Sequence, residues 1–220
     1  MRFVNCLPGN GIQLADMFTA RPHDLLRLSG SAALPGDAPA WAAHTLRVVP
    51  WVVVRRGPAS DRLIPVGVRG TTRSERYGTQ VPLEDVREVV APGALAHVST
   101  LVRNLPALRT LSAVRPLLDS VGLVWGPTGS VGFELATGQP TATPDSDLDL
   151  LIRTPHGVAD MLSALGRLHQ GFGSLPARVD CQIELPTGAI ALAELIGSQP
   201  DIMIRTADGP RLVARAVAVS

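Results

Sequence analysis

Apolar and polar positions repeat with two different periods along this chain, and the two periods separate strands from helices. Residues 123–125 are a short apolar run that reads as a strand and opens into a glycine-rich turn, Gly126 to Gly132. Downstream, Leu148, Leu150, Leu151 and Ile152 surround Asp149, and Asp147 precedes them. Residues two apart on a strand share a face, so Asp147 and Asp149 project one way while Leu148 and Leu150 enter the core. Residues 178–184 alternate strictly: Val179, Cys181 and Ile183 face in, and Asp180, Gln182 and Glu184 face the other way. Between these strands the period lengthens. Leu101, Leu105, Leu108, Leu111, Val114, Leu117 and Leu118 fall at three- and four-residue steps and predict a helix over 100–120, which Pro106 and Pro116 allow to be two pieces. Val158, Met161, Leu162, Leu165 and Leu168 predict another over 157–169.

The first half is less regular. Residues 46–55 are β-branched and predict a strand or strand pair bent at Pro50, and residues 63–69 predict a second strand, together a hairpin. Residues 83–97 are expected to be helical, broken at Pro92-Gly93. Near the end, 189–195 and 202–205 read as short β or helical pieces, and Asp208-Gly209 as a hairpin turn into 211–213. The pattern is that of an α/β (α+β) protein in two lobes. The first, 1–118, contains β-structure; the second, 119–220, is a mixed sheet flanked by helices, with the site expected in the cleft between them.

Composition narrows the function classes. Of 220 residues 45% are hydrophobic, enough for a real core, and the net charge of +1 provides no global field toward nucleic acid or membrane. Lysine is absent, so any phosphate clamp must be built from guanidinium groups. Cys6 and Cys181 are far apart and in no metal-like spacing, which suggests a reducing compartment. Met1 to Asn10 lacks the basic and apolar segments of a signal peptide, and no apolar run is long enough to span a bilayer. A cytoplasmic protein is expected.

The chemistry concentrates between Trp125 and Ile152. Small residues around Gly129 and Ser130 let backbone approach a ligand, and N–H groups at the start of the following helix favour phosphate oxygens. Two adjacent carboxylates, Asp147 and Asp149, repel unless a cation lies between them, and hard divalent ions prefer oxygen ligands. Together these predict Mg²⁺ and a phosphorylated substrate, with Asp180 as the candidate third carboxylate. Arg69, Arg73 and Arg76, at the end of the 63–69 strand among hydroxyls and glycine, form a plausible anion site or simply a solvated loop. His23, beside Asp24, reads as structural rather than as a ligand.

Gly129-Ser130, Asp147-x-Asp149 and a later Asp180 resemble the nucleotidyltransferase superfamily of the polymerase-β type. The run from Trp125 to Gly138, Ser146-Asp147-Leu148-Asp149-Leu150, Ile64 to Gly70 with Arg73-Ser74, and His23-Asp24-Leu25 resemble more closely the malonate decarboxylase holo-acyl-carrier-protein synthases, the phosphoribosyl-dephospho-CoA transferase family. That resemblance implies transfer of the phosphoribosyl-dephospho-CoA group from 2′-(5″-triphosphoribosyl)-3′-dephospho-CoA to a serine of the apo acyl carrier protein subunit, with pyrophosphate leaving. Asp147, Asp149 and Asp180 would hold Mg²⁺, Asp180 would accept the serine proton, Gly129 and Ser130 would cradle phosphates, and Arg69, Arg73 and Arg76 would contact substrate phosphates or the carrier protein. The alternatives are a transferase that adenylylates a small molecule or protein with ATP, or a carrier-protein-binding module without catalysis.

Overall fold

A computed structural model of the chain describes residues 20–29, 34–58, 60, 62–72, 74–99 and 103–219. Cys6, the first ten residues, Arg73 and Leu101 lie outside them. The chain divides into two compact units, Met1–Ala91 and Pro92–Ser220.

The first unit is an antiparallel sheet of five strands with one helix. The strands are β1 (Leu25–Leu28), β2 (Trp51–Val54), β3 (Leu63–Arg69), β4 (Arg76–Pro82) and β5 (Val86–Val90), in the order β4-β3-β2-β1-β5; the helix is α1 (Ala40–Val48). Leu26, Val52, Val54, Val66 and Val68 alternate onto one sheet face and pack with Ala42 and Leu46 of α1. Two sequence expectations change here. Residues 46–48 belong to α1, because Ala42 and Leu46 lie one helical turn apart on its buried side and the chain leaves the helix just before Pro50, where α geometry is disfavoured. Residues 83–97 are not a helix: a 3₁₀ turn at Leu83–Asp85 leads into β5, which pairs with β1 through Leu25↔Val90 and Leu26↔Val89, and a second turn follows at Pro92–Leu95. Strand pairing supplied by a distant segment overrides the weak helical preference of this stretch.

The second unit contains α2 (Pro106–Ser120), β6 (Val124–Pro127), α3 (Gly129–Thr137), β7 (Leu148–Arg153), α4 (Leu162–Gly171), β8 (Val179–Leu185), β9 (Gly188–Ala191), α5 (Leu192–Ile196), β10 (Asp201–Thr206), β11 (Gly209–Ala214) and α6 (Arg215–Val219). Its six strands form a mixed sheet in the order β11-β10-β9-β8-β7-β6, with β7 and β8 parallel and the other pairs antiparallel. The chain passes from β7 through α4 to β8, the helical crossover by which a parallel neighbour is usually reached.

The division between units falls at Ala91/Pro92 rather than near residue 118. Helix α2 belongs to the second unit because Leu108, Leu111, Val114 and Leu118 share its core with Leu148, Leu150, Ile152, Leu165 and Ile183. That burial also keeps α2 whole. Pro106 stands in its first turn, where a missing N–H costs nothing, whereas Pro116 lies inside. An interior proline costs about 3 kcal/mol, but each fully buried leucine or valine contributes about 1.5–3 kcal/mol, and four of them span the proline. The ring of Pro116 faces solvent. No helix among the described residues is long and apolar enough to cross a membrane.

Candidate active site

The site is built where β6 hands the chain to α3 beside β7 and β8. Strand β6 pairs antiparallel with β7, Gly126 opposite Leu151 and Pro127 opposite Leu150. At the end of β6 the Thr128 N–H donates to the backbone oxygen of Asp149 at 2.8 Å. The next residue, Gly129, takes φ +59° and turns the chain into α3. Two constraints keep it glycine. Its backbone lies in the left-handed region, and a Cβ placed on it would lie 1.8 Å from Oδ2 of Asp149. The carboxylate of Asp149 therefore rests directly against the glycine turn. Ser130 follows in the first turn of α3, half-buried, its carbonyl accepting a hydrogen bond from Thr141 Oγ1 at 2.8 Å. By helical geometry the first N–H groups of α3 have no acceptor within the helix and point toward this corner.

Asp149 and Asp180 are direct register partners of the parallel β7–β8 pair, so their side chains leave the same face as neighbours. The opposite face carries Leu148, Leu150, Cys181 and Ile183 into the core. Asp147 stands one residue before β7 and is bonded by the guanidinium of Arg178, one residue before β8. Arg178 also accepts the Leu148 N–H on its carbonyl at 2.9 Å. The hydrogen bond and charge of Asp147, then more weakly the charges of Asp180 and Asp149, raise the pKa of Arg178 above its usual value. Its guanidinium thus feels all three acids. Among the described residues no group of three or more His, Cys, Asp or Glu side chains is assembled as it stands for a metal ion. The donor set nonetheless suits a hard cation: Asp149 and Asp180 offer adjacent carboxylate oxygens, and Asp147, on the same run, is engaged by an exposed arginine.

Cys181 is buried, and burial first, then the negative charge of Asp180, pushes its thiol pKa far up. It remains protonated at neutral pH and packs as a small apolar residue.

Two participants went unnoticed in the sequence. Glu134 sits on α3 with only 9% of its surface exposed, and its carboxylate takes two hydrogen bonds from Arg103 (3.0 and 2.8 Å) and one from the Ala142 N–H (2.8 Å). Arg103 also donates to the Ala142 carbonyl at 3.1 Å. With the Thr141–Ser130 bond and the Thr143 N–H to Ser146 Oγ bond of 2.9 Å, this pins the segment after α3 and fixes how Asp147 enters the site. The signal was present: Glu134 is a lone acid in an otherwise apolar or small helix, Val131-Gly132-Phe133-Glu134-Leu135. Glu134→Ala strands Arg103 and an amide together. It should destabilise the protein by about 2 kcal/mol, discounted because Arg103 is a third exposed, as read from chemical denaturation.

The arginine residues of the other prediction lie in the first unit. Arg69 and Arg76 are register partners at the turn end of the β3–β4 hairpin. Arg76 donates to the carbonyls of Glu75 (3.1 Å) and Thr72 (3.4 Å), while Glu75 accepts from the Thr72 N–H at 2.9 Å and Thr71 Oγ1 at 3.0 Å. The backbone and hydroxyl donors of Thr72 and Thr71 hold the Glu75 carboxyl below the usual carboxylate range. The hairpin tip is thus internally bonded, with both arginines on one face of the β3–β4 pair. His23 sits at φ +72°, an uncommon conformation for a non-glycine residue, with its N–H bonded to the Val54 carbonyl at 2.9 Å; Asp24 is buried and accepts the Arg21 N–H at 3.0 Å, closing the turn before β1 rather than capping one after it.

Comparison with known proteins decides the family. Residues 94–216 match the family described as phosphoribosyl-dephospho-CoA transferase MdcG C-terminal domain, and residues 21–92 match the corresponding N-terminal domain. The chain belongs to the phosphoribosyl-dephospho-CoA transferase family. A member so named from Pseudomonas putida strain W619 is 44% identical over 199 residues, covering 90% of this chain and 95% of that protein. Another from Pseudomonas aeruginosa is 41% identical over 195 residues, with 87% and 91% covered. One from Azotobacter vinelandii is 40% identical, with 88% and 92% covered. No solved structure matches the chain. The two family domains meet where the two compact units do, so the carboxylates and the glycine turn belong to the C-terminal family domain and the arginine hairpin to the N-terminal one.

Proposed function

We propose that this family member transfers the phosphoribosyl-dephospho-CoA group from 2′-(5″-triphosphoribosyl)-3′-dephospho-CoA to a serine hydroxyl of the apo acyl carrier protein subunit of malonate decarboxylase, in the cytoplasm. The observation that carries the reading is the pairing of Asp149 with Asp180 across parallel strands, with Asp149 against the Gly129 turn, in a chain whose relatives are named phosphoribosyl-dephospho-CoA transferase. The serine Oγ forms a bond to the α-phosphorus as the bond from that phosphorus to pyrophosphate breaks, and the serine proton passes to a carboxylate. Asp180, exposed on its strand, is the group assigned to accept it. N–H groups of Gly129 and Ser130 hold the departing phosphates, as helix starts do. Asp149 and Asp180, with Asp147, would hold Mg²⁺, which would supply charge neutralisation for the leaving pyrophosphate and acidify the attacking hydroxyl. Arg69, Arg73 and Arg76 are assigned to the substrate phosphates or to the carrier protein.

The test is mass spectrometry of purified apo carrier protein incubated with this protein, Mg²⁺ and the triphosphoribosyl donor. The expected result is a mass gain of one phosphoribosyl-dephospho-CoA group on a serine. An adenylyl adduct with ATP in its place, or no adduct with either donor, would overturn the assignment.

A further inference from the structure

Arg178 is a cation placed within the acidic run, and its position is dictated by strand register. The parallel pairing that sets Asp149 beside Asp180 sets Asp147 beside Arg178 one step before the strands begin. Its side chain is 71% exposed and reaches from solvent onto the carboxylate of Asp147, which is 32% exposed. The register thus sets three acids and one base at the start of the β7–β8 pair, and Asp147 is bonded to the base. An exposed ion pair of this kind is weak and exchanges readily. A guanidinium, unlike an ammonium, also matches a phosphate with two parallel N–H donors.

We propose that Arg178 is the resident counter-ion of the carboxylate site. It holds Asp147 while the site is unloaded and releases it when a divalent cation and the donor arrive, turning its fork onto the donor's triphosphate. This rests on the proposed reading of the three acids as a cation site. Arg178 therefore opposes metal binding alone and favours donor binding, which couples the two ligands: cation and triphosphate together replace what either alone would have to break.

The test measures Mn²⁺ binding by electron paramagnetic resonance on the full-length protein without donor, then donor binding by calorimetry in the presence of Mg²⁺. Arg178→Gln should bind Mn²⁺ about threefold more tightly than the unsubstituted protein, the scale of one exposed ion pair removed. It should bind donor about tenfold or more weakly, the scale of a lost charge-assisted pair. Arg178→Lys keeps the charge and should retain unaltered Mn²⁺ affinity while failing to restore donor binding. Unchanged or weaker Mn²⁺ binding in Arg178→Gln, with Asp149→Asn still lowering it, would overturn the counter-ion role and leave the proposed function standing. Tighter Mn²⁺ binding in both Gln and Lys variants would overturn it as well, since charge competition would not be the cause. Absence of Mn²⁺ binding in the unsubstituted protein would overturn both readings.

Discussion

Asp149→Asn should lower the rate of prosthetic-group transfer by on the order of 10³-fold or more while leaving the fold in place. The expectation follows from where Asp149 stands. One face of β7 buries Leu148, Leu150 and Ile152, and the substitution does not touch it. On the other face Asp149 is the register partner of Asp180 and lies against the Gly129 turn, so it joins the strand pair to the start of α3. Asparagine has the same size and preserves that contact. It lacks the charge a hard cation requires and relieves repulsion from the neighbouring acids. The melting transition should therefore stay within about 1 kcal/mol of the parent, or rise slightly. Transfer is followed as mass gain on the apo carrier protein at saturating donor, with circular dichroism on the same samples. Turnover within tenfold of the parent would mean that Asp149 does not face the reacting phosphates.

Much of this site was legible because its residues sit on strands with a strict period of two. The alternation in 178–184 sends Asp180 away from the core, and Leu148 and Leu150 do the same for Asp149. The Gly126–Gly132 turn was legible because it is bracketed by an apolar strand and an apolar helix. What escaped depends on pairing between distant segments. Nothing local shows that β8 runs parallel to β7 in the register that sets Arg178 beside Asp147. Nothing local shows that residues 86–90 complete a sheet begun at Leu25. Arg103 reaches Glu134 across thirty-one positions, and only the buried acid hinted at a partner. The boundary between units was misplaced for the same reason: α2 follows the first sheet in the chain but buries its leucines in the second core, and amphipathic spacing reveals that a face is buried without revealing against what.

Gly129→Ala should reproduce most of the catalytic loss of Asp149→Asn through a purely steric route, and the two effects can be separated. A Cβ at this position lies 1.8 Å from Oδ2, 2.7 Å from Cγ and 3.0 Å from Cβ of Asp149, so the carboxylate must swing off the glycine turn or the turn must open. In either case the carboxylate is displaced by more than a catalytic geometry tolerates. The backbone adds its own cost: a residue with a side chain held at φ +59° is disfavoured by about 1–2 kcal/mol. Total destabilisation should reach about 2–4 kcal/mol in chemical denaturation, the excess over the backbone part being the clash. Truncating the neighbour tests that division. In an Asp149→Ala background the clash is largely gone, so Gly129→Ala should cost only the backbone part. The two substitutions should therefore be strongly non-additive, as expected for groups in direct contact. Additivity would mean that the carboxylate does not rest on the turn, and the link between the glycine turn and the acidic strand would be lost with it.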